Sequence, residues 1–252
     1  MKQPKFPIYI PSRSRWDSMA THKLLIQSGI SNFFIVVEPG DQEFEYTHAG
    51  FGENLLVLPE QNKGLFYSRQ FCKDHSTEAG DRYHWQLDDD IRSFLSRNPG
   101  EKTGHPSASD ALCAIEHEVL KYTNIGQAGM NQNSFPPGVS PIKVNHLPVQ
   151  AFMVNNRVES KFRTRIMNDF DFTLQVLREG WCTFMFDHIR TNTPAIGTNK
   201  GGLHEVYKNR KVIVETMEFM CKEFGTMTID EDEKGPHLRK NRIFSTFKQQ
   251  PE

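Results

Sequence analysis

The sequence predicts an α/β fold, a mostly parallel sheet with flanking helices, and three observations predict it. Short β-branched and aromatic runs alternate with amphipathic stretches through the first half of the chain. Pro and Gly stand at the breaks, as at Pro11, Pro39-Gly40, Pro59 and Gly80. Three consecutive acids, Asp88-Asp89-Asp90, close one apolar run, at the strand end where such sheets hold their ligands.

In chain order, Phe6 to Ile10 gives a strand, Pro11-Ser12-Arg13 breaks it, and Trp16 to Gln27 is an amphipathic helix ending at Gly29. Asn32 to Val37 and Leu55 to Leu58 are the next strands. Lys63 to Glu78 has helical periodicity with Gly80 behind it, and Tyr83 to Leu87 is again a strand. After a polar stretch, Arg97 to Ser107, comes a helix from Ala108 to Tyr122 with Leu112, Ile115, Val119 and Leu120 on one side. Met130 to Pro141 is rich in Asn, Gln, Ser, Pro and Gly and reads as loop. Val149 to Val154 is a strand, Asp169 to Arg178 a helix closed by Gly180, and Cys182 to Phe186 a strand. A polar loop from Thr191 to Gly202 precedes a last helix, Glu205 to Phe224, and the tail from His237 to Lys248 reads as an arm or a surface-packed strand.

The 252 residues fit one large domain or two small ones, and 30 Lys plus Arg against 31 Asp plus Glu exclude a binder that works mainly by bulk positive charge. No apolar run approaches the ~18 residues of a spanning helix, and the opening residues are too weakly apolar for a signal peptide. Cys72, Cys113, Cys182 and Cys221 lack metal-site spacing and read as free, buried thiols in a reducing, cytoplasmic setting without a membrane partner.

The chemistry concentrates in Gln86-Leu87-Asp88-Asp89-Asp90-Ile91, where three carboxylates repel one another unless a cation or hydrogen bonds offset them. Two-residue alternation puts Asp88 and Asp90 on one side of an extended chain, so one can meet a ribose while the other holds a metal bridging phosphates. Arg13 and Arg15 flank the turn after the first strand, where guanidinium groups suit a base or a diphosphate. Glu38, at the end of the second strand, is in order to accept from a nucleobase or ribose. Asp169 stands at a helix start, where an acid also serves as a plain N-terminal cap. Gly201-Gly202 lets a backbone approach phosphate and Lys200 can meet its charge, while His204, like its rival His188, is a lone histidine of the kind more often surface or packing than ligand.

The strand leading into Pro11-Ser12-Arg13, the helix beginning near Asn62-Lys63-Gly64 and carrying Arg69, and Leu87-Asp88-Asp89-Asp90 resemble the nucleotide-sugar half of GT-A (Rossmann-like) glycosyltransferases. The resemblance implies donor contacts from Pro11, Ser12, Arg13, Arg15, Glu38, Asn62, Lys63, Gly64, Arg69, Asp88, Asp89 and Lys200, and Mn2+ or Mg2+ on Asp88, Asp90 and His204. Asn168-Asp169-Phe170-Asp171 is similar to the family's Glu-Asp-Xaa-Asp stretch, which implies Asp169 as general base with Asp171 as the second catalytic acid; Asn168 departs from the common Glu. It also implies a donor half of about 1–95, an acceptor half of about 96–225 and a C-terminal arm of 226–252 within one domain.

The order IPSRSR, NKGLFYSRQF, QLDDDI, NDFDFTLQVLREGW and GGLHEVY further resembles the TET/JBP-associated glycosyltransferases, phage-type enzymes that act on hydroxymethylated pyrimidines in DNA. A UDP-sugar donor and DNA carrying 5-hydroxymethylcytosine are the substrates this implies. Backbone contacts would come from Lys208, Arg210, Lys211, Arg239, Lys240, Arg242 and Lys248, with Phe244 and Phe247 among them.

Overall fold

The structure is a computed structural model that describes residues 2–97, 100–135, 138, 140–194, 206, 209–225, 227–233, 235–240, 244, 247 and 249–252. Its elements run β1 (Ile8–Pro11), α1 (Ala20–Gln27), β2 (Phe33–Val37), α2 (Asp41–Tyr46), β3 (Leu55–Val57), α3 (Leu65–Glu78), β4 (Tyr83–Leu87), β5 (Ser93–Ser96) and α4 (Ala108–Val119). There follow β6 (Ile125–Gln132), β7 (Ile142–Val144), β8 (Ala151–Asn155), α5 (Asn168–Arg178), β9 (Cys182–Asn192), α6 (Arg210–Phe224), β10 (Met227–Asp232) and β11 (Gly235–Lys240).

One mixed sheet organises the chain in the order β3-β2-β1-β4-β8-β6-β9-β5, with β7 also on β9. The first four strands are parallel throughout. β8 enters antiparallel between β4 and β6, and β9 lies parallel to β6. Because the chain steps outward from β1 to β2 and β3 and then returns to β4 on the other side of β1, the strand order reverses between β1 and β4. Open α/β sheets bind their ligands at the carboxyl ends beside such a reversal.

Alternation along β1 divides the core between the sheet's two faces. Ile8 and Ile10 pack with Leu25, Leu112, Ile115 and Val119 of α1 and α4, whereas Tyr9 packs with Cys72 of α3 and Leu58. Each such buried aliphatic side chain contributes about 1.5–3 kcal/mol relative to exposure. Buried Glu116 of α4 fastens the start of the chain, accepting from Lys5 N at 2.7 Å and Trp85 Nε1 at 2.9 Å.

Several expectations shift. The helix expected from Trp16 begins at Ala20, and the one expected from Lys63 begins at Leu65, because Asn62 (φ 61) and Gly64 (φ 94) are left-handed and cannot continue a helix. β6 occupies Met130 to Gln132, the first part of the expected loop, and β9 runs on to Asn192. Cys113 and Cys221 are only half-buried, while Cys72 and Cys182 are buried and all four are free. The last helix is described from Arg210, and in the tail His237 to Lys240 takes the strand form, in β11 against β10. Among the described residues no helix is long and apolar enough to cross a membrane.

Candidate active site

The three acids follow β4 directly, beside the end of β1, and they divide by neighbour. Asp89 turns inward and is 6% exposed. It takes a hydrogen bond from Ser12 Oγ at 2.5 Å and a short ion pair from Arg15, and Tyr46 Oη lies 2.6 Å from the same Ser12 hydroxyl. Burial raises the Asp89 pKa, against the pull of Arg15 and Ser12. Asp89 therefore pins the loop after β1 to the loop after β4. Asp88 and Asp90 remain more open, their side chains 34% and 22% accessible. Thr21 in the first turn of α1 fixes the loop from below, donating to the Asp88 carbonyl at 2.5 Å and accepting from Ile91 N at 3.0 Å.

Arg69 joins this loop to the start of α5. From α3 its Nη2 donates to Asp88 Oδ1 at 3.0 Å and its Nη1 to Asn168 Oδ1 at 2.6 Å, with the guanidinium 5.0 Å above the Phe152 ring. The Asp88 carboxyl is pushed up to about 7, first by burial, which Arg69 opposes, and then by the neighbouring charges of Asp90, Asp89 and Asp169. The fields of three other carboxylates, that of Asp169 at the half-buried start of α5 among them, thus converge on Asp88. Its Oδ1 accepts from the following amide, Phe170 N, at 2.9 Å, a local contact at the helix start.

Left-handed backbone at non-glycine residues surrounds the convergence. Ser14 (φ 56) lies between Arg13 and Arg15, Asn62 (φ 61) beside Arg13, Gln150 (φ 63) accepts the Asp88 amide, and Met167 (φ 54) precedes Asn168. Each costs about 1–3 kcal/mol and persists only where the surroundings hold it. Three of them, Ser14, Gln150 and Met167, adjoin or bond residues of the acidic group, while Asn62 belongs with Arg13 and Glu38.

Beyond the end of β1 the structure gathers Arg13, Glu38 and Asn62. Arg13 Nη2 donates to Asn62 Oδ1 at 2.7 Å and its Nε lies 3.5 Å from Glu38, whose other oxygen accepts from Asn62 N at 2.9 Å. Pro11 ends β1 just before this group, and Gly64 turns the chain into α3. Lys63 is not joined to them; it points to solvent and pairs with Glu60 at 2.8 Å. Asp171 is fully buried and takes hydrogen bonds from Arg163 Nε at 2.9 Å and Gln175 Nε2 at 2.8 Å. Lys200 and His204 lie outside the described residues. His188 bonds the Pro141 carbonyl at 2.8 Å and sits against Phe186, with no contact to the acids among the described residues.

No group of three His, Cys, Asp or Glu among the described residues is arranged to hold a metal. Asp88 and Asp90 alone suit Mg2+ or Mn2+, which take one or two carboxylates and complete their shell with water and substrate phosphates. The repulsion that Asp88 meets from Asp90, Asp89 and Asp169 fits a cation here, since a positive ion relieves it. Sequence reasoning missed Thr21, Tyr46 and Gln150; they act through bonds to distant residues, and no local pattern marks them. The expected DNA contacts Arg210, Lys211 and Arg239 face Glu231, Glu215 and Asp230, while Lys208, Arg242, Lys248 and the Lys240 side chain lie outside the description.

The model of the TET-Associated Glycosyltransferase family matches residues 6–202, and the chain belongs to that family. No curated protein is similar enough in sequence to count as a relative. Among solved structures, a cytidylyltransferase from Leptospira borgpetersenii serovar Hardjo-bovis (strain JB197) is 11% identical over 74% of this chain and 76% of its own, with a TM-score of 0.46. The inositol-1-phosphate CTP transferase from T. maritima is 12% identical over 86% and 98%, with a TM-score of 0.43. A mannose-1-phosphate geranyltransferase from Thermus thermophilus is 10% identical over 98% and 68%, with a TM-score of 0.36. Likenesses of this strength carry no argument about function.

Proposed function

We propose that this member of the TET-associated glycosyltransferase family moves a hexose from a nucleotide-sugar, most concretely a UDP-sugar, onto the hydroxymethyl group of 5-hydroxymethylcytosine in phage DNA, with Mn2+ or Mg2+ at Asp88 and Asp90. The observation that supports this most is the Arg69 bridge, which ties Asp88 of the acidic run to Asn168, the neighbour of Asp169.

When bound, the divalent ion supplies positive charge against that building on the leaving diphosphate. Arg13, with Glu38 and Asn62, holds the nucleoside end of the donor, and Arg15 offers a planar donor to phosphate oxygen. Asp169 accepts the hydroxyl proton as the acceptor oxygen bonds to the anomeric carbon and the bond to the diphosphate breaks on the opposite face, so the centre inverts. Asp89 touches neither substrate and keeps the loop in place through Ser12 and Arg15. A base inside a duplex must leave the stack, or be single-stranded, to reach Asp169.

The test is mass spectrometry of nucleosides from hydroxymethylcytosine DNA incubated with the protein, Mn2+ and a panel of nucleotide-sugars, with hydroxymethyluracil and unmodified DNA alongside. A hexose mass on hydroxymethylcytosine alone is the expected result. Transfer only to glycan, lipid or protein hydroxyls contradicts the DNA acceptor.

A further inference from the structure

A cavity of about 290 Å³ opens between residues 163–165, which precede α5, and the face of α6, apart from the acids and the donor cluster. The charges on its wall do not cancel. Arg163 is held by Asp171 at 2.9 Å and Glu223 at 3.3 Å, and Glu215 has Lys211 at 3.7 Å, whereas Arg165 is exposed and has no ion pair or hydrogen bond among the described residues. Thr164 beside it is 7% exposed, and its hydroxyl is buried without a hydrogen-bond partner among the described residues. Native folds rarely tolerate such an orphan unless a ligand or water meets it. Phe219, with Arg163 5.0 Å from its ring centre, remains 38% exposed on the same wall.

A guanidinium next to an unsatisfied hydroxyl is a donor pair for phosphate oxygen, and an exposed ring adds a surface on which a base can stack. Arg165 precedes Asp169 by four residues, so at most about 14 Å of chain separates the two Cα positions. A DNA strand whose reacting base sits at Asp169 can therefore lay a neighbouring nucleotide on this cavity. We infer that the cavity is a phosphodiester subsite for the acceptor strand, with Arg165 and Thr164 as its oxygen donors and Phe219 as its stacking surface; this rests on the DNA reading above.

The experiment measures anisotropy of a labelled single-stranded oligonucleotide with one 5-hydroxymethylcytosine, and of versions in which one linkage at a time around that base is a neutral methylphosphonate. With the unaltered protein, neutralising one particular linkage is expected to weaken binding about tenfold. In Arg165→Ala the same replacement is expected to change binding less than about twofold, since the contact is already gone. The slope of log affinity against log salt is expected to fall in magnitude by about 0.7. Thr164→Val is expected to reproduce part of the loss, while Mn2+-dependent UDP affinity stays unchanged in both variants. If the unaltered protein binds and modifies DNA but Arg165→Ala leaves the linkage profile and salt slope as they were, the subsite is overturned and the DNA reading stands. If the unaltered protein binds no oligonucleotide, both fall.

Discussion

Arg69 Nη1 donates to Asn168 Oδ1 at 2.6 Å, a bond between residues 99 apart in sequence. The same guanidinium holds Asp88, so one side chain sets the distance between the end of β4 and the start of α5. Asn168 occupies the place where the family motif commonly has Glu, and as a neutral acceptor it leaves the Arg69 charge to Asp88.

Arg69→Met is expected to destabilise the protein by about 2–4 kcal/mol, because both charge-assisted hydrogen bonds and the contact with Phe152 are lost. Urea denaturation measures this. A change below about 0.5 kcal/mol, within the range of an ordinary surface substitution, would mean that the bridge is not structural.

Asp171→Asn separates structural from catalytic acid. Asp171 is fully buried but its partner Arg163 is 32% exposed, so the loss is expected to be about 1–3 kcal/mol, with the transfer rate of folded protein unchanged. A stable variant without transfer would return Asp171 to the reaction.

His84 is fully buried between Asn156 Oδ1 at 2.7 Å and Gln86 Nε2 at 2.9 Å, and burial, aided by the Lys73 charge, drives its pKa down to about 3. A folded pKa below the unfolded value means stability that is fully present above about pH 6.5 and lost as pH falls toward about 3, at up to about 1.4 kcal/mol per pH unit from this group. Denaturation curves between pH 7 and 4 are expected to be flatter for His84→Gln than for the unaltered protein. Equal slopes would remove His84 as a source of acid sensitivity.

At Gly129, a Cβ would meet the Ala151 carbonyl at 2.3 Å and Phe152 Cα at 2.6 Å, so β6 and β8 approach too closely for any side chain. Gly129→Ala is expected to cost about 3 kcal/mol or more, read as a fall in thermal midpoint. A variant as stable as the parent would mean that the two strands can separate locally without penalty.

These features also mark where the sequence was legible. Three strands of the parallel half announced themselves because their apolar runs stop at or beside Pro11, Pro39 and Pro59, and the fourth because it runs into the three acids. β6 did not, since IGQAGMNQ is buried at every position yet carries two glycines packed against neighbouring elements and three amides. Its hydrophobic periodicity is absent, and its burial is set by tertiary contacts alone. α2 (DQEFEY) is too short for periodicity to register. In the site, the acids at the end of β4 and the start of α5 stood out as local patterns. The roles of Asp89 and Asp171 did not, because Ser12, Arg15, Arg163 and Gln175 decide them through bonds that spacing does not reveal.

The most direct measurement compares sugar transfer to hydroxymethylcytosine DNA with Mn2+-dependent UDP-sugar binding in Asp169→Asn and Asp90→Asn. Asp169→Asn is expected to lose transfer by about 10²–10⁴-fold while binding the donor within about twofold of the parent. Asp90→Asn is expected to lose donor binding itself. Transfer retained in Asp169→Asn, or metal-dependent donor affinity retained in Asp90→Asn, would contradict the assignment of these two acids to one catalytic cleft.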